Sequence, residues 1–484
     1  MKYFQTIRYW PATTLVALLV TLSAPAFAET TSEEEPEESR ALWLLSAEAG
    51  VGPIEEDLFL HLTPRLTFIH PTPLPFCEET ANQDCETLFE ASLQIPLRLR
   101  IVDREPEQGD ILRREDWLEV SDYFRVIRRI EYGTSRERFH FRAGEIGPAN
   151  LGNGTIVNGY YNVITTDHYR LGLQGRIDRD RWGAELLVNN LAFPNLLGVR
   201  GHMRPELIYD ESSSWRRFSL GATGVADLDA PTALSREGDE FAIAGPNRQP
   251  VVETSQPTLI VGADVRWHLF HERDWGLTPF ADFNHHLGLG SGLHTGVFWS
   301  QNFGGFVQLS SRLEYRYLMD RYLPDFIDPL YEITRYQYPA IDEPGLAGPK
   351  LRVARSADAR ARHGGFGQLQ ARVVDKVVLS AAYADAQGPS NADLRVRASL
   401  EFNDRARMGL FYYKFAQGEA DGFGSLLSNL VDPEGSLTAA EGRVGVWGPV
   451  YAHGQLARQW QLRDDGRFES IHLWNVGLGA GKQF

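Results

Sequence analysis

The stretch Phe468–Phe484 reads FESIHLWNVGLGAGKQF. Counting back by twos from the end gives Phe484, Lys482, Ala480, Leu478, Val476, Trp474 and His472. The other parity gives Gln483, Gly481, Gly479, Gly477 and Asn475. Successive side chains of a strand point to opposite faces, so this segment has one largely greasy face and one small or polar face. Such a strand suits a wall with lipid on one side and water on the other. The alternative is an edge strand of a soluble β protein, and the rest of the chain decides between them.

The same alternation recurs throughout the body of the chain. In FVQLSSRLEYRYL (306–318) the outward set is Val307, Leu309, Leu313, Tyr315 and Tyr317, against Gln308, Ser310, Arg312, Glu314 and Arg316 inside. In DLRVRASLEF (393–402) Leu394, Val396, Ala398, Leu400 and Phe402 oppose Asp393, Arg395, Arg397, Ser399 and Glu401. LIVGADVRWHL (259–269) and ASLQIPLRLRI (91–101) alternate in the same way. Alternating segments of about ten residues are the signature of membrane-spanning strands. Tight-turn residues break the pattern near Asp178–Asp180, Asn302–Gly305, Val374–Lys376, Asn403–Arg405 and Gly448–Pro449, with much longer connections at 229–257, 319–362 and 416–436. Short and long connections alternate, as periplasmic turns and extracellular loops do in a barrel, whereas a soluble sandwich has no reason to segregate them. The expectation is an all-β transmembrane antiparallel barrel of about 18 strands, with a range of roughly 16 to 20.

The ends of the chain add compartment. Lys2 and Arg8 precede the apolar run LVALLV (15–20), and Ala26–Phe27–Ala28 forms an A-x-A cleavage site, so residues 1–28 read as a signal peptide. Residues 29–40, ETTSEEEPEESR, are rich in glutamate and hold no large apolar side chain; they read as an acidic disordered periplasmic tail. Residues 41–484 are the barrel. The chain carries 48 Lys and Arg against 64 Asp and Glu, a net charge of −16, which argues against a nucleic-acid partner.

Catalytic and metal motifs are missing: the sequence has no P-loop, G-x-S-x-G, H-E-x-x-H or Cys/His zinc spacing, and no cofactor is implied. His285 and His286 are adjacent, so on a strand they point to opposite faces and cannot hold one ion together. An outer-membrane hydrolase built on the barrel wall is the remaining enzymatic reading. The only cysteines, Cys77 and Cys85, lie in PFCEETANQDCE, where an oxidising compartment favours a disulfide; the alternatives are two free thiols or half of a metal site, for which no His or other Cys lies nearby. SDYFRVIRRIEYG (121–133) reads as a short amphipathic periplasmic helix capped by Ser121, because a strand there would set Arg128 among the lipid-facing residues. Two connections stand out. EIGPANLGNGTIVNGYYN (145–162) is either a surface loop or a segment folded into the lumen. RYLPDFIDPLYEITRYQY (321–338) could set Phe326, Ile327, Leu330 and Ile333 on one helical side that needs a surface to cover it.

The terminal strand resembles the C-terminal strand of Gram-negative outer-membrane barrels. In these, the terminal aromatic residue and alternating positions are read by the barrel assembly machinery. Gly479 and Phe484 fit that signal; Lys482 and Gly477 depart from it. The body resembles porin-like barrels and uncharacterised proteobacterial outer-membrane proteins, which implies the outer membrane, its lipid and the assembly machinery as surroundings. The expected function is passive passage of small hydrophilic solutes, anionic ones included. The alternative is a non-channel barrel acting as an anchor or export and assembly component through its loops and acidic tail. A second copy of the chain, or another protein, is left open as a partner. Alternation points Arg98, Arg100, Arg142, Arg170, Arg217, Arg266, Arg312, Arg316, Arg372, Arg395, Arg397 and Arg443 into the lumen. The inward acids are Glu185, Asp264, Asp282, Glu314, Asp393, Glu401, Glu441 and Glu469. The arginines outnumber the acids there, although acids dominate the chain as a whole.

Overall fold

The computed structural model describes residues 41–484 apart from 55–56, 76–84, 105–109, 119, 135–136, 164–168, 206–216, 238–239, 245–248, 272–273, 340–346, 375, 388–391, 404, 418–435, 463–467 and 482–484. The expected signal peptide and acidic tail, Cys77, Lys482 and Phe484 lie outside the described residues. Twenty antiparallel strands close on themselves, two more than the count of about 18 taken from the sequence. They are β1 (Leu42–Ile54), β2 (Asp57–Pro73), β3 in two segments (Glu86–Gln94 and Leu97–Val102), β4 (Ile127–Tyr132), β5 (Phe139–Gly144), β6 (Gly172–Asp178), β7 (Trp182–Val188), β8 (Leu196–Met203), β9 (Phe218–Leu234) and β10 (Val252–Trp267). The circuit continues through β11 (Trp275–His286), β12 (Gly290–Phe303), β13 (Val307–Leu318), β14 (Arg362–Val373), β15 (Val377–Ala386), β16 (Ala392–Asn403), β17 (Ala406–Gln417), β18 (Ser436–Trp447), β19 (Val450–Leu462) and β20 (Phe468–Ala480). Each pairs with its sequence neighbours, and β1 pairs with β20 to shut the sheet. Closure removes every unpaired edge, which a sheet surrounded by hydrocarbon requires.

The wall is sorted by parity. Leu313, Tyr315, Leu369, Leu379, Phe402, Val444, Leu456, Trp474 and Val476 stand exposed on the outer face. Their strand neighbours Arg312, Glu314 and Arg316 are buried inside. An apolar surface of that extent in water would cost about 25 cal/mol per Å²; against lipid it costs nothing. On β20 the greasy parity faces out, while Gly477 and Gly479 face in across the seam, opposite Gly50 and Glu48. A Cβ on Gly477 would lie 2.0 Å from the Ala49 carbonyl oxygen. That close approach of first and last strands explains why this position departs from the polar or aromatic residue of the terminal-strand pattern.

Connections 179–181, 304–306, 374–376, 404–405 and 448–449 all lie at the end of the barrel where β1 begins and β20 finishes. Gly304 and Gly305 take positive φ of 61° and 76° to reverse the chain there. Connections 103–126, 145–171, 235–251 and 319–361 begin and end at the opposite end. The segregation is incomplete, since 74–85 and 204–217 share the first end and 287–289 the second.

The expected helix over 121–133 is a correction. Only Val120–Tyr123 and Phe124–Val126 are helical, each about one turn, and Ile127–Tyr132 is strand β4. The segment leads into the wall from the end opposite the one where β1 begins. The strand is possible because pairing with β3 slips between Ser92↔Arg129 and Leu93↔Ile127, leaving Arg128 as a bulge residue. A bulge re-aims one side chain, so Arg128 is released from the lipid-facing parity that argued against a strand.

Candidate functional site: a lumen with two inserted connections

Connections 145–171 and 319–361 fold into the barrel. The first begins where β5 ends, and Asn162 fixes its base: its Oδ1 accepts the Ile146 N–H at 2.7 Å. Its Nδ2 lies within 3.2 Å of the Gly144, Arg170 and Asn189 carbonyls. Asn162 is fully buried, and so is Asn189. The Gly- and Asn-rich composition is what an inserted loop requires, because amide side chains satisfy backbone groups that water no longer reaches. Wall carboxylates do the rest. Asp282 accepts from Thr155 (2.6 Å) and Asn153 (3.3 Å), and Glu185 from the Gly152 N–H (3.0 Å).

The second connection lies across the first. The Asp325 and Ile327 N–H groups donate to the Thr155 and Ile156 carbonyls at 3.1 Å, and Asn158 N–H donates back to Ile327. Phe326, Ile327, Tyr331, Leu351 and Ala354 join Leu151, Ile156, Val157 and Tyr160 in one core, against Leu187, Leu196, Val225 and Ile260 of β7 to β10. The apolar side of 321–338 is therefore covered, partly by the other connection and partly by the wall. Leu330 and Ile333 reach the far wall, packing on Tyr413, Leu437, Phe411 and Ala439 of β17 and β18. Tyr331, next in sequence to Leu330, donates to Asp227 of β9 at 2.6 Å. The connection thus spans the lumen from wall to wall.

Charges lock it there. Asp325 meets Arg316 at 3.0 Å and Arg395 at 3.7 Å, and Asp227 meets Arg335 at 3.3 Å. Glu332 takes hydrogen bonds from Arg170 and Tyr160. Burial first, and Glu332 second, push the Tyr160 phenol well above its ordinary range, so it acts as a neutral donor. Lys350 pairs with Asp328 and sits among Phe326, Tyr331 and Tyr338 at 4.8 to 5.6 Å from their ring centres. Burial lowers its ammonium below the usual lysine range, with Asp328 opposing.

The sequence-derived lumen arginines, with Glu314 and Asp264, divide into four groups. Arg266, Arg312, Arg316, Arg395, Glu314 and Asp264 are joined to one another or to the inserted connections. Arg266 donates to Asn153 (2.6 Å), Asp264 holds Arg200 (2.7 Å), and Glu314 accepts from Arg312, Arg316 and His294. Arg98, Arg100, Arg142 and Arg443 are engaged by wall or connection acids: Asp116 (3.4 Å), Asp57 (2.9 Å), Glu131 (2.5 Å) and Glu48 (3.1 Å) respectively. Arg372 and Arg397 stand on the inward parity of β14 and β16, with Arg397 exposed and bonded to Tyr161 Oη at 3.1 Å. Two of the named arginines are not strand residues. Arg170 lies in the first inserted connection, and Arg217 sits at the rim, donating to the Leu269 carbonyl. Periodicity could not find Glu332, Asp325, Asp328, Lys350 or Arg335, because they lie on connections with no strand alternation. Nor were Arg65 of β2 and Glu48 of β1 among the positions it named. His286 is buried against Thr258 and His285 bonds Ser291, on opposite faces.

These features define a porin-like barrel: a closed antiparallel sheet, apolar outside, charged and partly filled inside. No protein-family model matches the chain, and no curated protein matches it in sequence. Among solved structures it is similar to the OccK11 (OpdR) protein of Pseudomonas aeruginosa, at 8% identity and TM-score 0.33 over 92% of this chain and 95% of that one. It is also similar to OccAB4 of Acinetobacter baumannii, at 11% and 0.31 over 93% and 100%. A triple mutant of the Rhodopseudomonas blastica porin gives 8% and 0.24 over 91% and 100%.

Proposed function

We propose that the protein is an outer-membrane channel for small hydrophilic solutes with a preference for anions, its short turns and N-terminal tail in the periplasm and its long connections outside. The observation that carries it is the contrast between two halves of the lumen. Along β7 to β13 the inserted connections bury almost every inward charge. Along β16 to β20 and β1 to β4, Arg397 and Arg407 remain open to solvent, and Arg443 is only partly covered. An aqueous path along that second wall is lined by these guanidinium groups and by the exposed acids Glu401, 3.8 Å from Arg407, and Glu441; the guanidinium groups bind carboxylates and phosphates by paired hydrogen bonds. A low-dielectric wall concentrates the resulting positive potential. Reversal potentials of the purified protein in a planar bilayer, across a potassium chloride gradient, are expected to lie on the chloride side; a cation preference would overturn the reading.

One observation favours the alternative of a non-channel barrel. The wall-to-wall span from Asp227 to Tyr413 and Leu437 obstructs much of the lumen. A barrel that inserts in the bilayer and gives no conductance steps would select that alternative.

A further inference from the structure

Most inward arginines whose contacts are described above have an acid, a carbonyl or a side-chain oxygen within reach. Arg65 differs. It lies on β2 between Ser46 and Gln94, faces the lumen, and is 91% buried. Its Nε has no hydrogen-bond partner, and among the described residues no carboxylate pairs with its guanidinium. After burial itself, the charges that act on it most are the like-signed Arg128, then Glu48, which opposes it, then Arg443. Glu48 is already engaged, accepting from Tyr451 at 2.8 Å and pairing with Arg443 at 3.1 Å. Arg128, the bulge residue, likewise has no side-chain acceptor among the described residues.

A buried charge left without a partner is costly, and the half-buried, like-signed Arg128 acting on it adds to that cost. We propose that Arg65 and Arg128 form an oxyanion-binding subsite in the luminal wall. It takes a phosphate-sized group that supplies the missing negative charge and accepts from both guanidinium forks. The bulge on β4 is the device that builds it, since regular pairing would send Arg128 to the lipid face. The subsite rests on the channel reading in one respect: solutes must reach the lumen.

The test is thermal unfolding of the folded, detergent-solubilised barrel in sodium phosphate and in sodium chloride at equal ionic strength and pH. It uses the natural protein, Arg65→Gln, Arg128→Gln, and Arg114→Gln as a control at an exposed arginine outside the barrel interior. Phosphate is expected to raise the midpoint of the natural protein and of the control, and that rise is lost in Arg65→Gln and Arg128→Gln. In chloride alone Arg65→Gln unfolds no earlier than the natural protein, because an unpaired buried charge has been removed. A phosphate response that survives Arg65→Gln, or is missing from the natural protein, overturns the subsite, as does a lower chloride midpoint for that variant. An Arg65-dependent response in a barrel that never conducts would sink the channel reading and leave the subsite standing. Anion-selective conductance with no Arg65-dependent response would do the reverse.

Discussion

At the scale of single residues, Gly479 has two explanations that can be separated. The sequence sets it in an assembly signal with Phe484; the structure gives it a local duty, because a Cβ there would lie 2.3 Å from the Tyr451 ring. Tyr451 is almost fully buried and holds Glu48 beside the seam of the barrel. Gly479→Ala is therefore expected to displace that ring and lower the stability of the assembled barrel by about 1–3 kcal/mol, the usual cost of overpacking. Deleting Phe484 is expected to lower the amount of barrel assembled, with no change in the unfolding midpoint of what does assemble. Heat-shift gels of membrane fractions measure both quantities. A Gly479→Ala protein that assembles poorly yet unfolds like the natural one would return Gly479 to the signal alone. The inward and outward parities of Arg312, Glu314, Leu313 and Tyr315 were legible because period-two alternation is a property of the backbone. Partners such as Asp325 for Arg316 were not, since they come from connections distant in sequence or free of period.

At the scale of elements, the inserted connections show where sequence reading stopped. The composition of 145–162 admitted a lumen position, and 321–338 required a surface to cover its apolar side. That each supplies part of the other's surface, through the Ile327 and Ile156 backbone groups, follows only from three-dimensional pairing. Strand β4 was obscured for a related reason: a bulge breaks the alternation that identifies a strand, and the remaining pattern mimics a helix. Glu332 ties Arg170 and Tyr160 of the first connection to the second, so Glu332→Gln should loosen the pair while leaving the strand ladder intact. Losing one charge-assisted bond of this kind costs about 1.5–3 kcal/mol. The expected result is a larger or noisier single-channel conductance with the barrel's unfolding midpoint nearly unchanged; identical current traces would show that the two connections do not limit flow. Connection 74–85 offers another check. Its base is narrow, with Leu74 N–H on the Cys85 carbonyl at 2.6 Å. A Cys77–Cys85 disulfide is proposed to close it, contributing about 2–3 kcal/mol by loop entropy. Mass spectrometry of the unreduced, denatured protein after alkylation should show no added label, and two labels would refute the bond.

At the scale of the whole molecule, one requirement orders the rest: an apolar belt outside and a charged lumen inside are compatible only if the sheet closes. Strand number was underestimated because the count began at Asp57, after β1, and because β4, its alternation broken by the bulge, read as a helix. The pairing of Val51 with Val476 and of Glu48 with Gly479 completes the circuit, so every strand in the circuit has two neighbours. A sheet of this kind has no partly open state that satisfies its backbone in lipid, since separating any two strands exposes a row of N–H and C=O groups to hydrocarbon. Unfolding should then be all-or-none for the wall and slow, even where the inserted connections move. The protein is expected to fractionate with the outer membrane. It should also run faster on SDS gels unheated than boiled, because detergent alone does not open a closed ladder. The exposed leucines, valines and aromatics of the belt leave no soluble alternative for the folded form. Recovery of folded, detergent-free protein from the soluble periplasmic fraction would contradict the membrane assignment, and with it the channel.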